Sequence, residues 1–142
     1  RYAQVVGMDS SSTMLAATAD SIAQQPATNQ IKLVQGDFFS LADNAHFDAL
    51  IAAMVLHHMP SPEAFFQKAA RVTCPGGHLV IAELCAHTQD WVTKTVGDLR
   101  LGFEPTVLTQ WAEGNGFKIQ DQQHLAQRNG FQVQVLSFVR NA

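Results

Sequence analysis

Residues 47–84, FDALIAAMVLHHMPSPEAFFQKAARVTCPGGHLVIAEL, carry the clearest hydrophobic pattern in the chain. Positions 48–56 are nearly all apolar and do not alternate, which predicts a strand covered on both faces, as in a parallel sheet flanked by helices. Ser61 is placed to cap the following helix, and Pro62 suits a first turn in which a missing N–H costs nothing. Phe65, Phe66, Ala69 and Val72 then recur at helical spacing and form one apolar stripe. Cys74-Pro75-Gly76-Gly77 ends that helix, because proline disfavours helix in the residue before it and glycine permits a sharp reversal. A second buried strand is expected at 78–84. Together these make a βαβ unit, whose crossover is expected to be right-handed.

The flanking segments repeat the pattern more faintly. Residues 4–8 (QVVGM) form a short apolar strand ending at Asp9, and Ser10, Ser11 or Ser12 can cap a helix running to about residue 25. Its expected inner face is Met14, Leu15, Thr18 and Ile22. Another strand is predicted at 31–35, closing in Gly36-Asp37-Phe38-Phe39. Beyond residue 84 the spacing of Trp91, Val92, Thr95, Val96 and Leu99 predicts a helix over 87–101. Pro105 starts a further helix through Val107, Leu108, Trp111 and Ala112, which Asn115-Gly116 terminates. Residues 117–123 and 130–140 alternate apolar and polar, as the strands of a terminal hairpin do, with Asn129-Gly130 as a turn signal. No repeat, linker or low-complexity tract interrupts the chain, so residues 1–142 are expected to be one α/β domain.

Composition narrows the partners. The chain has 142 residues and a formal charge of −3, with no run of Lys or Arg, which argues against a dedicated nucleic-acid surface. No apolar stretch is long enough to span a bilayer, and no signal peptide opens the sequence. Cys74 and Cys85 fall in or beside core elements and are expected to be reduced, buried thiols of a cytoplasmic protein. The first residue is Arg1, immediately before a strand, so the chain is expected to begin part-way into its fold.

These segments resemble the class I S-adenosylmethionine-dependent methyltransferases. The residues that carry the resemblance are VVGMDSSSTMLAAT (5–18), QGDFFSL (35–41), the whole of 47–84 and the closing strands. QDWVTKTVGDLRLGFEPTVLTQWAEGNGF (89–117) is similar to a bacterial subgroup that often follows a regulator domain of the arsenic-repressor type. The resemblance implies a Rossmann-like sheet with helices on both faces and an antiparallel C-terminal hairpin. It also implies an N-terminal truncation, since the family's first strand and glycine-rich loop would lie upstream of Arg1. The strands at 4–8 and 48–56 are then expected to flank a vacant central position. The two strands could close up and pair directly, the first strand and helix could swap into a second copy, or another segment could occupy the slot; a self-associated form, a homo-oligomer, is the favoured expectation.

The resemblance assigns residues as well. Asp9 stands at the carboxyl end of a parallel strand, where α/β sheets place ligands, and can accept two hydrogen bonds from a ribose diol. The resemblance puts it, with Ser10, in donor binding; the plain alternative is a helix-start acid favoured by the dipole. Asp37 and Phe38 correspond to the positions that bond the adenine amino group and pack on its ring. The alternative is a Gly-Asp turn beside a core phenylalanine. Ala53 and Met54, with Ala52, end the central strand where the donor's reactive end is implied, though core packing also accounts for them. His57 and His58 form a candidate catalytic pair, able to take a proton from an acceptor. In the family a similar pair is often structural. No Cys or His spacing resembles a zinc set. Glu83, Asp90, Asp98 and Glu104 could line an acceptor pocket, and solvated helix faces explain most of them equally well.

The implied function is methyl transfer from S-adenosylmethionine to a small molecule, with little turnover expected from this chain by itself. The alternative is a truncated or degenerate module that binds ligand or self-assembles without turnover. An NAD-dependent dehydrogenase is a third reading that Asp9 alone supports.

Overall fold

A computed structural model describes residues 4–26, 30–86, 102–126 and 131–142. The chain separates into two compact units, Arg1–Ala42 and Asp43–Ala142. The expected helix at 87–101 and the Asn129-Gly130 turn lie outside the described residues.

In the first unit, β1 (Gln4–Asp9) and β2 (Gln30–Gln35) pair in parallel, with Asp9 opposite Gln35. Between them runs α1 (Ser12–Ala23), whose N-cap Ser11 accepts the Met14 N–H at 3.3 Å. The predicted inner face of this helix is only partly realised. Leu15 and Ile22 are half-buried, but Met14 is 56% exposed and Thr18 is exposed. The reason is area: a two-stranded ribbon offers too little surface to cover a helix stripe. Val5, Val6 and Ile31 are also exposed.

The second unit holds the buried core. It contains β3 (Phe47–Ala53), α2 (Pro62–Val72), β4 (Thr73–Leu84), α3 (Pro105–Gly114), β5 (Phe117–Ala126) and β6 (Gln132–Arg140). Its sheet order is β3-β4-β6-β5, with β3 and β4 parallel and the other pairs antiparallel. The βαβ unit and the antiparallel terminal hairpin are thus both present. Among the described residues each unit leaves a strand edge open, since β1 pairs on one side only with β2, and β3 on one side only with β4.

One face of the second sheet is built by residues of a single parity. Leu79 lies opposite Phe138 and Ile81 opposite Leu136, all fully buried. The stripe Phe65, Phe66, Ala69 and Val72 of α2 is buried as predicted. Phe66 meets Trp111 of α3 at a ring-centroid distance of 6.0 Å, which joins the two helices in one layer. On the other parity of β3, Ile51 is 75% exposed while its neighbour Ala52 is 5% exposed. The expected strand over 48–56 is corrected in its bounds, since β3 ends at Ala53. Among the described residues of the second unit it is an edge strand, and the face that carries Ile51 is exposed there.

Two other expectations change in detail. Ser61 occupies the N-cap of α2 but makes no side-chain capping bond. Cys74-Pro75-Gly76-Gly77 does end the helix, yet Thr73 already pairs with Phe47 before it, and His78 resumes the ladder at Ala49. The ladder thus advances two residues on β3 while β4 advances five, so 74–77 bulge out of it. Thr73 is pinned on both sides: its hydroxyl donates to the Ala69 carbonyl at 2.7 Å, and the Arg140 guanidinium donates to its carbonyl. After β4, Phe103 bridges Cys85, and a side chain on Gly102 (φ +85) would fall 2.2 Å from the Cys85 carbonyl oxygen. Only glycine fits there. Cys74 and Cys85 are free thiols, half-buried rather than buried, and burial foremost pushes the Cys85 thiol up. No helix among the described residues is long and apolar enough to cross a membrane.

At the start of the second unit, Lys68 is almost buried and its ammonium reaches the Asp43 carboxylate at 2.6 Å, with Arg71 at 3.4 Å. The Lys68 hydrogen bond, ahead of the Arg71 charge, holds the Asp43 carboxyl below its ordinary value of 3.8. A depressed carboxyl stabilises the fold at pH values above the unfolded value and loses that contribution as pH falls through the folded one. Thermal melting followed from about pH 5 to about pH 2 should therefore show an acid-side loss that is smaller in Asp43→Asn. Identical acid limbs would remove Asp43 from the set of groups responsible.

Candidate functional site

The sequence-predicted residues fall at the carboxyl ends of parallel strands in both units, the end at which α/β sheets hold ligands. In the first unit Asp9 closes β1, and one carboxylate oxygen accepts the Ser11 N–H at 2.8 Å. That bond is the helix-start role, and it occupies one lone pair of a group with about four. Ser10 is exposed, and its carbonyl accepts from the Gln35 amide at 3.3 Å, tying the two strand ends together. The Gly36 N–H adds a second tie to the Asp9 carbonyl at 3.0 Å. Asp37 follows as the N-cap of a one-turn 3-10 helix (Phe38–Ser40) and accepts the Phe39 N–H at 2.8 Å. It is exposed, while Phe38 is half-buried and meets Phe39 edge-on at 5.9 Å. Asp9 and Asp37 thus stand on adjacent strand ends, each with carboxylate capacity left after its local turn bond.

In the second unit the end of β3 is built differently. Ala53 is the last strand residue and is exposed. Met54 then adopts φ 57, the left-handed region that non-glycine residues rarely enter, while its N–H still bonds the Ala82 carbonyl at 2.8 Å. Such backbone outliers concentrate at functional sites. The chain next turns through a second one-turn 3-10 helix, Leu56–His58. His57 is 4% exposed and its Nδ1 hydrogen-bonds the Glu83 carboxylate. His58 is exposed, with its ring centroid 4.1 Å from that of His57. The two histidines therefore divide into an inner ring held by a carboxylate and an outer ring at the surface.

Glu83 corrects one expectation. It is not a liner of an open pocket but is fully buried on β4. Its two oxygens take the N–H groups of Leu56 at 3.0 Å, His57 at 3.4 Å and Leu84 at 2.9 Å. The signal was legible in HLVIAEL, because Glu83 shares parity with Leu79 and Ile81 and so faces the core. Gln134 lies directly opposite Glu83 and is also fully buried; its amide donates to the carbonyls of Phe103 at 2.8 Å and Leu84 at 3.4 Å. Sequence reasoning passed over Gln134 altogether. Glu104 is an exposed N-cap of α3, and Asp90 and Asp98 lie outside the described residues.

The strained position supports a direct test. A β-branched side chain suits φ > 0 worst and glycine best. Urea denaturation should find Met54→Val less stable than Met54→Gly by about 1–2 kcal/mol. Equal midpoints would show that Met54 leaves the left-handed region in solution.

Residues 1–81 match the family described as a methyltransferase domain. A demethylmenaquinone methyltransferase of Desulfitobacterium hafniense is 34% identical over 87 residues, covering 60% of this chain and 34% of that protein. The crystal structure of the [4+2]-cyclase SpnF superposes with a TM-score of 0.79 at 18% identity, over 98% of this chain and 66% of that one. Magnesium protoporphyrin IX methyltransferase (ChlM) from Synechocystis, solved with SAH bound, gives a TM-score of 0.75 at 21% identity, over 97% of this chain and 64% of that one. The chain spans about a third of the length of that first relative. With its Rossmann-like α/β architecture and the match over more than half of its residues, the chain belongs to the class I S-adenosylmethionine-dependent methyltransferase domain family.

Proposed function

We propose that this protein transfers a methyl group from S-adenosylmethionine to a small-molecule acceptor. The observation that carries the reading is the pair of carboxylates, Asp9 and Asp37, on the adjacent ends of parallel strands β1 and β2. A ribose diol offers two O–H donors and an adenine amino group offers N–H donors, which carboxylates with unused lone pairs accept well. In this reading Asp9, beside Ser10, takes the ribose, Asp37 takes the adenine amino group, and Phe38 packs against the ring. Ala53 and Met54 serve the reactive end, and a small side chain at Ala53 allows close approach to the backbone. The donor supplies a methyl group on a positively charged sulfur, a leaving group that needs little further activation. Positioning can then carry much of the barrier. His58, the exposed ring of the pair, is the better placed of the two to accept an acceptor's proton, and His57 supports it. Small acceptors are the substrates in the names of the demethylmenaquinone and magnesium protoporphyrin enzymes, which supports that class here. The free thiols of Cys74 and Cys85 fit a cytoplasmic setting. Calorimetric titration of S-adenosylmethionine should show binding to the wild-type protein and affinity roughly tenfold or more weaker for Asp9→Ala, the loss of charge-assisted hydrogen bonds. Unchanged affinity would end the assignment of Asp9.

A second reading, a module that self-associates without turnover, is favoured by a different observation. Among the described residues the first unit has no buried residue, and β1 and β3 each present an open edge beside exposed apolar side chains such as Val6 and Ile51. Open, apolar strand edges pair readily with another chain. The cyclase of similar fold is a reminder that this architecture serves chemistries other than methyl transfer. Light scattering across micromolar concentrations should then report a homodimer or larger form. A compact monomer throughout would remove this reading.

A further inference from the structure

The buried carboxylate of Glu83 is the least expected group in the second unit. It sits on β4 in phase with the apolar residues Leu79 and Ile81, where an unpaired charge would be costly. Oε2 takes the Leu56 and His57 N–H groups, and Oε1 takes the Leu84 N–H and the His57 ring. Three of these four donors thus come from the turn that follows Met54. A carboxylate accepts and does not donate, so the Nδ1 it faces must carry the hydrogen. Glu83 therefore fixes two things together, the path of the backbone after β3 and the tautomer of His57. The ring so fixed lies 4.1 Å, centroid to centroid, from the exposed ring of His58.

We propose that Glu83 is a positioning residue for the site at the end of β3, acting through His57 on Met54 and His58. The proposal rests on the methyltransferase reading above for what that site binds. Glutamine is the informative replacement, because it keeps the shape and exchanges one acceptor oxygen for an NH2 group. If that NH2 takes the Oε2 place, it meets two backbone donors. If it takes the Oε1 place, it meets the Leu84 N–H, and His57 can accept from it only after moving its own hydrogen to Nε2.

The test combines nitrogen-15 NMR of the histidine rings with calorimetric titration of S-adenosylmethionine, on wild type and Glu83→Gln. Wild-type His57 is expected to carry its hydrogen on Nδ1. Glu83→Gln should move that hydrogen to Nε2, shift the amide signals of Met54, His57 and His58, and weaken donor binding about tenfold. A bare Nδ1 in the wild type overturns the proposal, and so does a folded Glu83→Gln protein that binds the donor as tightly as wild type. If Glu83→Gln does not fold, the wild-type ring spectrum decides alone. A wild-type protein that binds no donor would overturn the functional reading instead, and the His57 tautomer would still decide the role of Glu83.

Discussion

A carboxylate held inside an apolar sheet constrains everything at the end of β3. Taking such a charge out of water costs several kcal/mol unless donors surround it. Here they do, and they are drawn from Leu56, His57 and Leu84. The turn cannot shift without stranding the charge. That constraint gives a physical reason for the left-handed Met54, whose strain is of order 1–3 kcal/mol. The chain must leave the ladder at Ala53 and present two successive N–H groups to one oxygen, and a sharp backbone reversal makes that possible.

The same strand explains why polar groups gather at this end of the sheet. Leu79 and Phe138, then Ile81 and Leu136, then Glu83 and Gln134 form three cross-strand pairs along one face. The first two are apolar and fully buried. The third is polar, fully buried, and lies toward the carboxyl end of β4. Gln134 secures the chain beyond β4 by bonding the carbonyls of Leu84 and Phe103, and Gly102 allows that close passage. The core thus grades from hydrocarbon into a hydrogen-bonded layer at the strand ends, where ligands of α/β sheets bind.

The first unit is organised on other terms. Its strands expose Val5, Val6 and Ile31, and its helix buries no side chain fully. What it holds firmly is local: two strand ends tied by Gln35 and Gly36, and two carboxylates each anchored in a turn. Such a ribbon contributes little burial to stability. What it fixes is the position of Asp9 and Asp37 at adjacent strand ends.

The sequence by itself determined the elements of the central βαβ unit, the α2 stripe, the terminal hairpin and the family. Those features rest on local periodicity and turn chemistry, which neighbouring residues specify. The strand-end positions of Asp9 and Asp37 were legible for the same reason, since Asp9 closes one apolar strand and Asp37 follows another after Gly36. The tertiary structure decided what depends on neighbours distant in sequence. Among the described residues it made β3 an edge strand with Ile51 exposed, although a run of apolar residues reads as doubly covered. It drew Thr73 into the ladder ahead of the 74–77 bulge, because pairing with Phe47 is a cross-strand fact. It separated His57 from His58 into inner and outer rings, which adjacent identical residues cannot reveal. And it joined Glu83 to His57 across 26 positions of sequence, a pairing fixed by β3–β4 register and by the need of a buried charge for donors.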